Sequence, residues 1–205
     1  MNSREGELKV SKSKKRLLVV VDYQNDFTTG SLGSSHALAL REGLLKKIKE
    51  YAKNGDEVWF TKDTHEESYL QTLEGSKLPI EHGIRGTEGN EIDSFILEGL
   101  EELTGGAKSS TEEDFPFRII EKSHFPISVL TAKEIYDEGV EYEDITLCGV
   151  VTNICVISNA AIFRSIFPET VINIDASLCA SNDMELHDKT LDVLESMQFN
   201  ILNRG

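Results

Sequence analysis

The residues with types and spacing suited to chemistry gather around one cysteine. Cys155 lies in the stretch Ile145-Thr-Leu-Cys-Gly-Val-Val-Thr-Asn-Ile-Cys155-Val-Ile-Ser-Asn-Ala-Ala. Residues 145–147 read as a buried strand, and Gly149 punctuates it. Thr152 or Asn153 then caps a helix that continues through Ala160, Ala161 and Ile162. This places Cys155 in the first turn of a helix, where free backbone N–H groups and the positive dipole end stabilise a thiolate and later an oxyanion. A free cysteine is by default an inert buried side chain, so a nucleophile needs partners elsewhere in the chain.

Two such partners stand at the ends of other apolar runs. Residues 17–21, Leu-Leu-Val-Val-Val, form a β-branched run that ends at Asp22. Residues 117–120 form another, followed by Glu121 and Lys122. A thiol attacking an amide carbonyl needs a base to take its proton and an acid to return one to the departing ammonia. Asp22 suits that task. Lys122, close to both, would hold the carboxylate and lower the thiol pKa.

A second constellation is Asp63-x-His65 with His82 further on. An Asp and two imidazoles are good ligands for zinc, with iron or manganese as alternatives. Asp-x-His puts both side chains on one side of an extended segment. Glu74, inside the intervening loop, adds a fourth protein ligand or leaves its place to water. Outside such a set, His and Asp in a loop are merely polar, and spacing alone does not select the ion.

The elements that must position these groups alternate between strand and helix. After the first strand comes a polar loop with Gly30-Ser-Leu-Gly33, then a helix with Leu40, Leu44, Leu45, Ile48 and Tyr51 at helical spacing, stopped by Asn54-Gly55. Residues 58–61 make a second strand, leading to Lys62-Asp-Thr-His65. Residues 66–90 are aperiodic, and a loop of that length in a compact domain is usually functional. Helices are expected over 91–103, 128–137 and 183–197, strands over 170–174 and 199–202, and an acidic loop over 105–114. Six strands alternating with helices predict an α/β fold, a doubly wound parallel sheet with helices on both faces. Ligands of such sheets sit beyond the carboxyl ends of the strands, and Asp22, Asp63, His65, Lys122 and the turn to Cys155 all belong on that rim.

Composition narrows the class further. The 205 residues suit one domain, taken as 16–205 behind a disordered basic leader at 1–15. A net charge of −15 argues against a nucleic-acid partner, which needs a basic footprint. No apolar run reaches the length of a membrane span, and no signal-peptide core is evident. Three cysteines, an odd number, argue for a reducing, cytoplasmic setting. Structural roles are expected elsewhere: Trp59 and Cys148 in the core, Cys179 in a loop after the fifth strand, Asp175 as a strand-end cap, His36 at a helix start and His187 on a solvated helix position.

From Leu17 to the C-terminus the chain resembles the isochorismatase-like cysteine hydrolases. The resemblance rests on Asp22-x-x-x-Asp26-Phe27 with Gly30-Ser-Leu, on Lys122, and on Gly149-Val-Val-Thr-Asn-Ile-Cys155-Val. Asp63-x-His65 and the loop Leu78-Pro-Ile-Glu-His82-Gly-Ile-Arg-Gly-Thr-Glu-Gly89 are similar to the nicotinamidase branch. That resemblance implies hydrolysis of nicotinamide to nicotinate and ammonia, a reaction of pyridine nucleotide salvage. It implies a triad of Asp22, Lys122 and Cys155 with a thioester intermediate, a non-proline cis peptide at Val150–Val151, and an oxyanion hole from the N–H groups of Val151 and Cys155. It also implies a divalent metal on Asp63, His65 and His82, with Glu74 a further candidate, holding the pyridine nitrogen while Phe27 and Val151 line the substrate. A dimer or larger homo-oligomer is expected of the family.

The chain departs from the branch at Asn153 and Ile154, where many nicotinamidases carry Asp and Tyr. After Lys122 it reads Ser-His124-Phe125, which offers Phe125 or His124 to the substrate pocket. Asn153 is more at home in other amidases of the superfamily, so a metal-independent amidase acting on a ureido or carbamoyl compound is the alternative. A binding protein that kept the fold and lost catalysis is a third reading, opposed by the intact Asp22, Lys122 and Cys155.

Overall fold

A computed structural model describes residues 14–101 and 117–205. The expected acidic loop at 105–114 and nearly all of the expected leader therefore lie outside the described residues. The first strand, β1 (Lys15–Val21), is buried from Leu17 onward and leads through Asp22 to two short helices, α1 (Asn25–Thr28) and α2 (Ser35–Leu38). Helix α3 (Arg41–Asn54) buries Leu44, Ile48 and Tyr51, one stripe at helical spacing. It ends on Gly55 in the left-handed region, φ 76°, a conformation that glycine adopts without a Cβ penalty.

Strand β2 (Glu57–Asp63) follows, then α4 (Leu73–Lys77) and α5 (Ser94–Leu100), with short 3-10 turns at Tyr69–Gln71 and Glu88–Asn90. Strand β3 (Arg118–Lys122), α6 (Val129–Asp137) and β4 (Tyr142–Val150) lead to a π-turn, Thr152–Val156, that runs into α7 (Ile157–Ile166). Strand β5 (Val171–Ala180), α8 (Met184–Ser196) and β6 (Asn200–Leu202) complete the chain.

The six strands form one all-parallel sheet in the order β3-β2-β1-β4-β5-β6. Strand order reverses between β1 and β4, and a crevice opens at that switch point beyond the carboxyl ends. Right-handed crossovers place α3 and α5 on one face and α6, α7 and α8 on the other. Leu17 to Val21, Ile145, Leu147 and Phe163 form part of the shared core, all with essentially no exposure. This is the α/β architecture expected from the sequence. No helix among the described residues is long and apolar enough to cross a membrane.

Two expectations about local structure are corrected. Strand β5 does not end at residue 174 but continues to Ala180, so Cys179 lies inside it and is buried. A register shift between Leu147 and Gly149 brings Gly149 opposite Cys179 and carries the pairing onward. Asp175 is consequently no strand-end cap. It is buried within the strand, where Lys47 at 3.1 Å, Ser177 at 2.8 Å and Asn203 at 3.0 Å satisfy its carboxylate. The second correction concerns the helix that begins around Cys155, whose N-terminus has Val151 at the cap and no side-chain cap bond. The Thr152 hydroxyl instead meets His187 Nδ1 at 2.8 Å, and Asn153 Oδ1 accepts from Ser181. His187 is therefore buried against this turn rather than solvated.

Candidate active site

Asp22 follows the last residue of β1, with a left-handed backbone, φ 46°, that is uncommon for a residue with a side chain. Its turn is held from β2: Asp22 N donates to the Thr61 carbonyl and hydroxyl, both at 3.1 Å, and Thr61 Oγ1 donates to Asp22 Oδ1 at 2.6 Å. On the other side of the crevice, Gly149 takes φ 113°. A Cβ there would lie 2.2 Å from the Val21 carbonyl oxygen, so only glycine lets β4 pass this close to β1. The Val150–Val151 peptide that follows is cis, and the π-turn then delivers Cys155.

Lys122, the last residue of β3, joins these groups. Its Nζ lies 2.7 Å from Asp22 Oδ2, 3.2 Å from Asp63 Oδ1, 3.0 Å from the His124 carbonyl and 3.9 Å from Cys155 Sγ. All four residues named by side chain here are buried. Burial pushes the Asp22 carboxyl up, opposed by Lys122. Burial alone would lower the Lys122 ammonium, but Asp22, Cys155 and Asp63 together raise it, so it remains charged. Burial also drives the Cys155 thiol well above its ordinary range, with Lys122 pulling the other way. The arrangement sets a buried thiol beside the Asp22 carboxyl and the Lys122 ammonium. Chemically, a thiol so placed can pass its proton to an adjacent carboxylate on attacking a carbonyl, without storing a free thiolate.

Asp63 faces both ways. Its Oδ2 lies 3.0 Å from His65 Nε2 and 3.5 Å from His82 Nε2, while Glu74 Oε1 stands 3.9 and 4.0 Å from the same two nitrogens. One donor atom from each of the four residues falls within 4.8 Å of every other. The donor set fits a divalent metal, because His82 Nδ1 lies 2.8 Å from the Ile80 carbonyl. Donation of Nδ1–H there fixes the tautomer and turns the Nε2 lone pair toward Asp63 and Glu74. Burial would raise the Asp63 carboxyl, yet the two imidazoles and Lys122 hold it well below the usual carboxylate range. Asp63 is thus an anion at any working pH, as a ligand must be.

Phe27 packs edge-on against His82, with ring centroids 5.6 Å apart. Val151 and Ile154 are half-buried beside the turn, and Phe125 is 43% exposed on the segment after Lys122. His124 contributes its carbonyl to Lys122 while the residue itself is exposed. The side chain of Asn153, near the start of the turn, accepts from the Ser181 hydroxyl.

Two residues of the site escaped the sequence reading. Tyr69 is buried with its ring 4.6 Å from His65 and 4.9 Å from His82, packing both imidazoles into place, and burial pushes its phenol up to about 12. It sits in the aperiodic segment, where no periodicity marked it. Asn159 is fully buried, donating to the Cys155 carbonyl at 2.8 Å and the Phe125 carbonyl at 3.1 Å and accepting from Ile127 N at 3.0 Å. An amide facing the core of a helix was the available signal.

No family model matches the chain. An isochorismatase family protein of Bacillus subtilis (strain 168), PncA, is 28% identical over 149 residues, 71% of this chain and 76% of that protein. The crystal structure of nicotinamidase/pyrazinamidase PncA from Bacillus subtilis superposes with a TM-score of 0.76 at 25% identity, covering 92% of this chain and 100% of that one. The pyrazinamidase of Pyrococcus horikoshii, solved in complex with zinc, gives a TM-score of 0.71 at 20% identity over 93% of this chain and 99% of that one.

Proposed function

We propose that this chain, which has the isochorismatase-like fold and resembles the nicotinamidase branch of that superfamily, hydrolyses nicotinamide to nicotinate and ammonia. The hydrolase class follows from the resemblance. The specific reaction is our reading, and one observation carries it: Lys122 Nζ stands at once against Asp22, Cys155 and Asp63, so a nucleophile with its base adjoins a four-donor cation cluster.

In this reading Cys155 Sγ passes its proton to Asp22 and attacks the carboxamide carbon, forming the C–S bond. The negative charge that develops on the amide oxygen is met by the N–H groups of Val151 and Cys155. Asp22 returns the proton to the amide nitrogen, the C–N bond breaks, and ammonia leaves a thioester on Cys155. A water molecule then gives a proton to Asp22 and its oxygen to the acyl carbon. The C–S bond breaks, the carboxylic acid departs, and the thiolate recovers its proton from Asp22. Lys122 stays charged throughout and stabilises the anionic form of each partner in turn.

Asp63, His65 and His82, with Glu74 as the further carboxylate, would hold a divalent metal, zinc being the best match to the donors. When bound, that ion supplies a Lewis-acid anchor for a pyridine nitrogen. Phe27 offers an apolar wall to an aromatic ring beside it, and Phe125 and Val151 complete the pocket. Asn153, the residue that favours a ureido or carbamoyl substrate, is engaged by Ser181, whereas the four-donor cluster favours a substrate held by a metal.

The test is ammonia release from nicotinamide after chelation and after add-back of zinc, manganese or iron, with N-carbamoyl compounds assayed in parallel. Activity on nicotinamide that falls on chelation and returns with metal supports the reading. Turnover of the N-carbamoyl compounds alone, indifferent to chelator, overturns it.

A further inference from the structure

The four candidate ligands come from three stretches of chain, Asp63 and His65 from one and Glu74 and His82 from one each, and all four lie beyond the last pairing of β2 with β1. Strand β1 makes its last register pair with β2 at Val21–Thr61, so on that side Asp63 has run past its neighbour. The side-chain amide of Gln24 takes the missing strand's place. Its Oε1 accepts from Asp63 N at 2.7 Å and its Nε2 donates to the Asp63 carbonyl at 2.9 Å, as a parallel strand would.

A second amide continues the join. Gln24 Nε2 also donates to the Asn90 carbonyl at 2.7 Å, and Asn90 Nδ2 donates to the Asp63 carbonyl at 2.9 Å, Thr64 Oγ1 at 3.2 Å and the Gly83 carbonyl at 3.0 Å. The same Gly83 carbonyl accepts from His65 N at 2.8 Å, while Gly83 N donates to Asp26 Oδ2 at 2.8 Å. The residue after His82 is thereby pinned to the segment that carries Asp63 and His65. The fit leaves no spare room: at Gly83, φ 56°, a Cβ would lie 2.6 Å from the Asp63 carbonyl oxygen. Gln24 and Asn90 are 0% and 1% exposed, and neither contacts Cys155 or Lys122 in this network.

We infer that Gln24 and Asn90 are positioning residues for the cation cluster, which set Asp63, His65 and His82 at coordinating distance before an ion arrives. The inference rests on the metal reading above and adds what assembles the site. Buried amides whose N–H groups are all engaged are costly to rearrange, so the ligand backbone is ordered in advance and the ion need not do that ordering itself. Residues that orient metal ligands typically change affinity by about 10- to 100-fold when lost.

The test is Zn2+ affinity of the full chain, by chelator competition, for wild type, Gln24→Met and Asn90→Ala, together with the visible spectrum of each protein loaded with Co2+. Near-ultraviolet circular dichroism of the metal-free proteins confirms that each is folded. We expect Zn2+ binding weakened by roughly tenfold or more in both variants, with altered Co2+ ligand-field bands, a change that a general loss of stability does not produce. Folded variants that bind Zn2+ as tightly as wild type, with an unchanged Co2+ spectrum, overturn the inference and leave the metal reading standing. Wild type that binds neither ion overturns both. If Asn90→Ala does not fold, Asn90→Ser, which keeps one donor, decides by the same two measurements.

Discussion

The two halves of the site are built differently. On the nucleophile side, each group belongs to the end of a strand: Asp22 after β1, Lys122 closing β3, and Cys155 in the turn after β4. Sheet register alone brings them together. On the cation side only Asp63 lies in a strand, while Glu74 and His82 arrive on a long connection whose backbone is tied down by side-chain amides. Asp63 belongs to both halves, one oxygen toward Lys122 and the other toward the imidazoles. A site of this kind gets its Asp22, Lys122 and Cys155 set from the fold and its cation cluster from an added network, so under the proposed function the two should fail in different ways.

The nucleophile side should fail in chemistry. Cys155→Ala is expected to lower kcat by at least about a thousandfold, because groups that act as a unit lose nearly everything when one is removed. Zn2+ binding should be unchanged. If the variant keeps wild-type ammonia release, Cys155 is not the nucleophile and the comparison collapses. Lys122→Met should abolish turnover and also cost stability. It leaves the Asp22 and Asp63 carboxylates buried without their shared cation, a situation that typically costs about 3–5 kcal/mol. Urea unfolding measures this, and a loss under 1 kcal/mol would show that solvent reaches the pair.

The cation side should fail in binding. His82→Ala is expected to weaken Zn2+ by roughly 10- to 100-fold and to raise KM more than it lowers kcat at saturating metal. Glu74→Gln should do the same to a smaller degree, since its oxygen stands about 4 Å from both imidazoles and its side chain is 17% exposed. Equal effects of the two substitutions would make Glu74 a full ligand. A fall in kcat alone in either variant would mean that the two halves are not separable.

The same contrast explains what could be read in the sequence. Asp22, Lys122 and Cys155 were legible because each follows an apolar run, and the carboxyl ends of parallel strands share one rim. The strand order, with β1 between β2 and β4, was not, because nothing in a strand's own residues names its neighbours. His65 and His82 were recognised by type and by resemblance, but their packing on Tyr69 and their backbone hold through Gln24 and Asn90 involve partners far apart in the chain. No local pattern encodes those. Thr152 and Asn153 misled for a related reason: good capping residues were taken to cap, whereas tertiary partners, His187 and Ser181, took both side chains.

His187 supplies the smallest expected effect and the clearest sign. Burial lowers its pKa below the ordinary 6.5, with Arg204 and His36 acting in the same direction and Asp188 opposing. Its Nδ1 meets the Thr152 hydroxyl at the start of the nucleophile's turn. The unfolded chain therefore binds a proton at this residue at a higher pH than the folded one does. The neutral ring's contribution to stability is present above about pH 6.5 and is lost as pH falls through the lowered folded value. His187→Gln keeps a polar partner for Thr152 and removes the titration. Urea unfolding of both proteins between pH 7.5 and 5 should give a shallower acid-side decline for the variant, while Zn2+ affinity at pH 7.5 stays within about twofold of wild type. Parallel declines would mean that the ring stays hydrated and charges freely in the folded state. A matching loss of Zn2+ affinity would mean instead that the nucleophile's turn and the cation cluster move as one body, against the separation drawn from their construction.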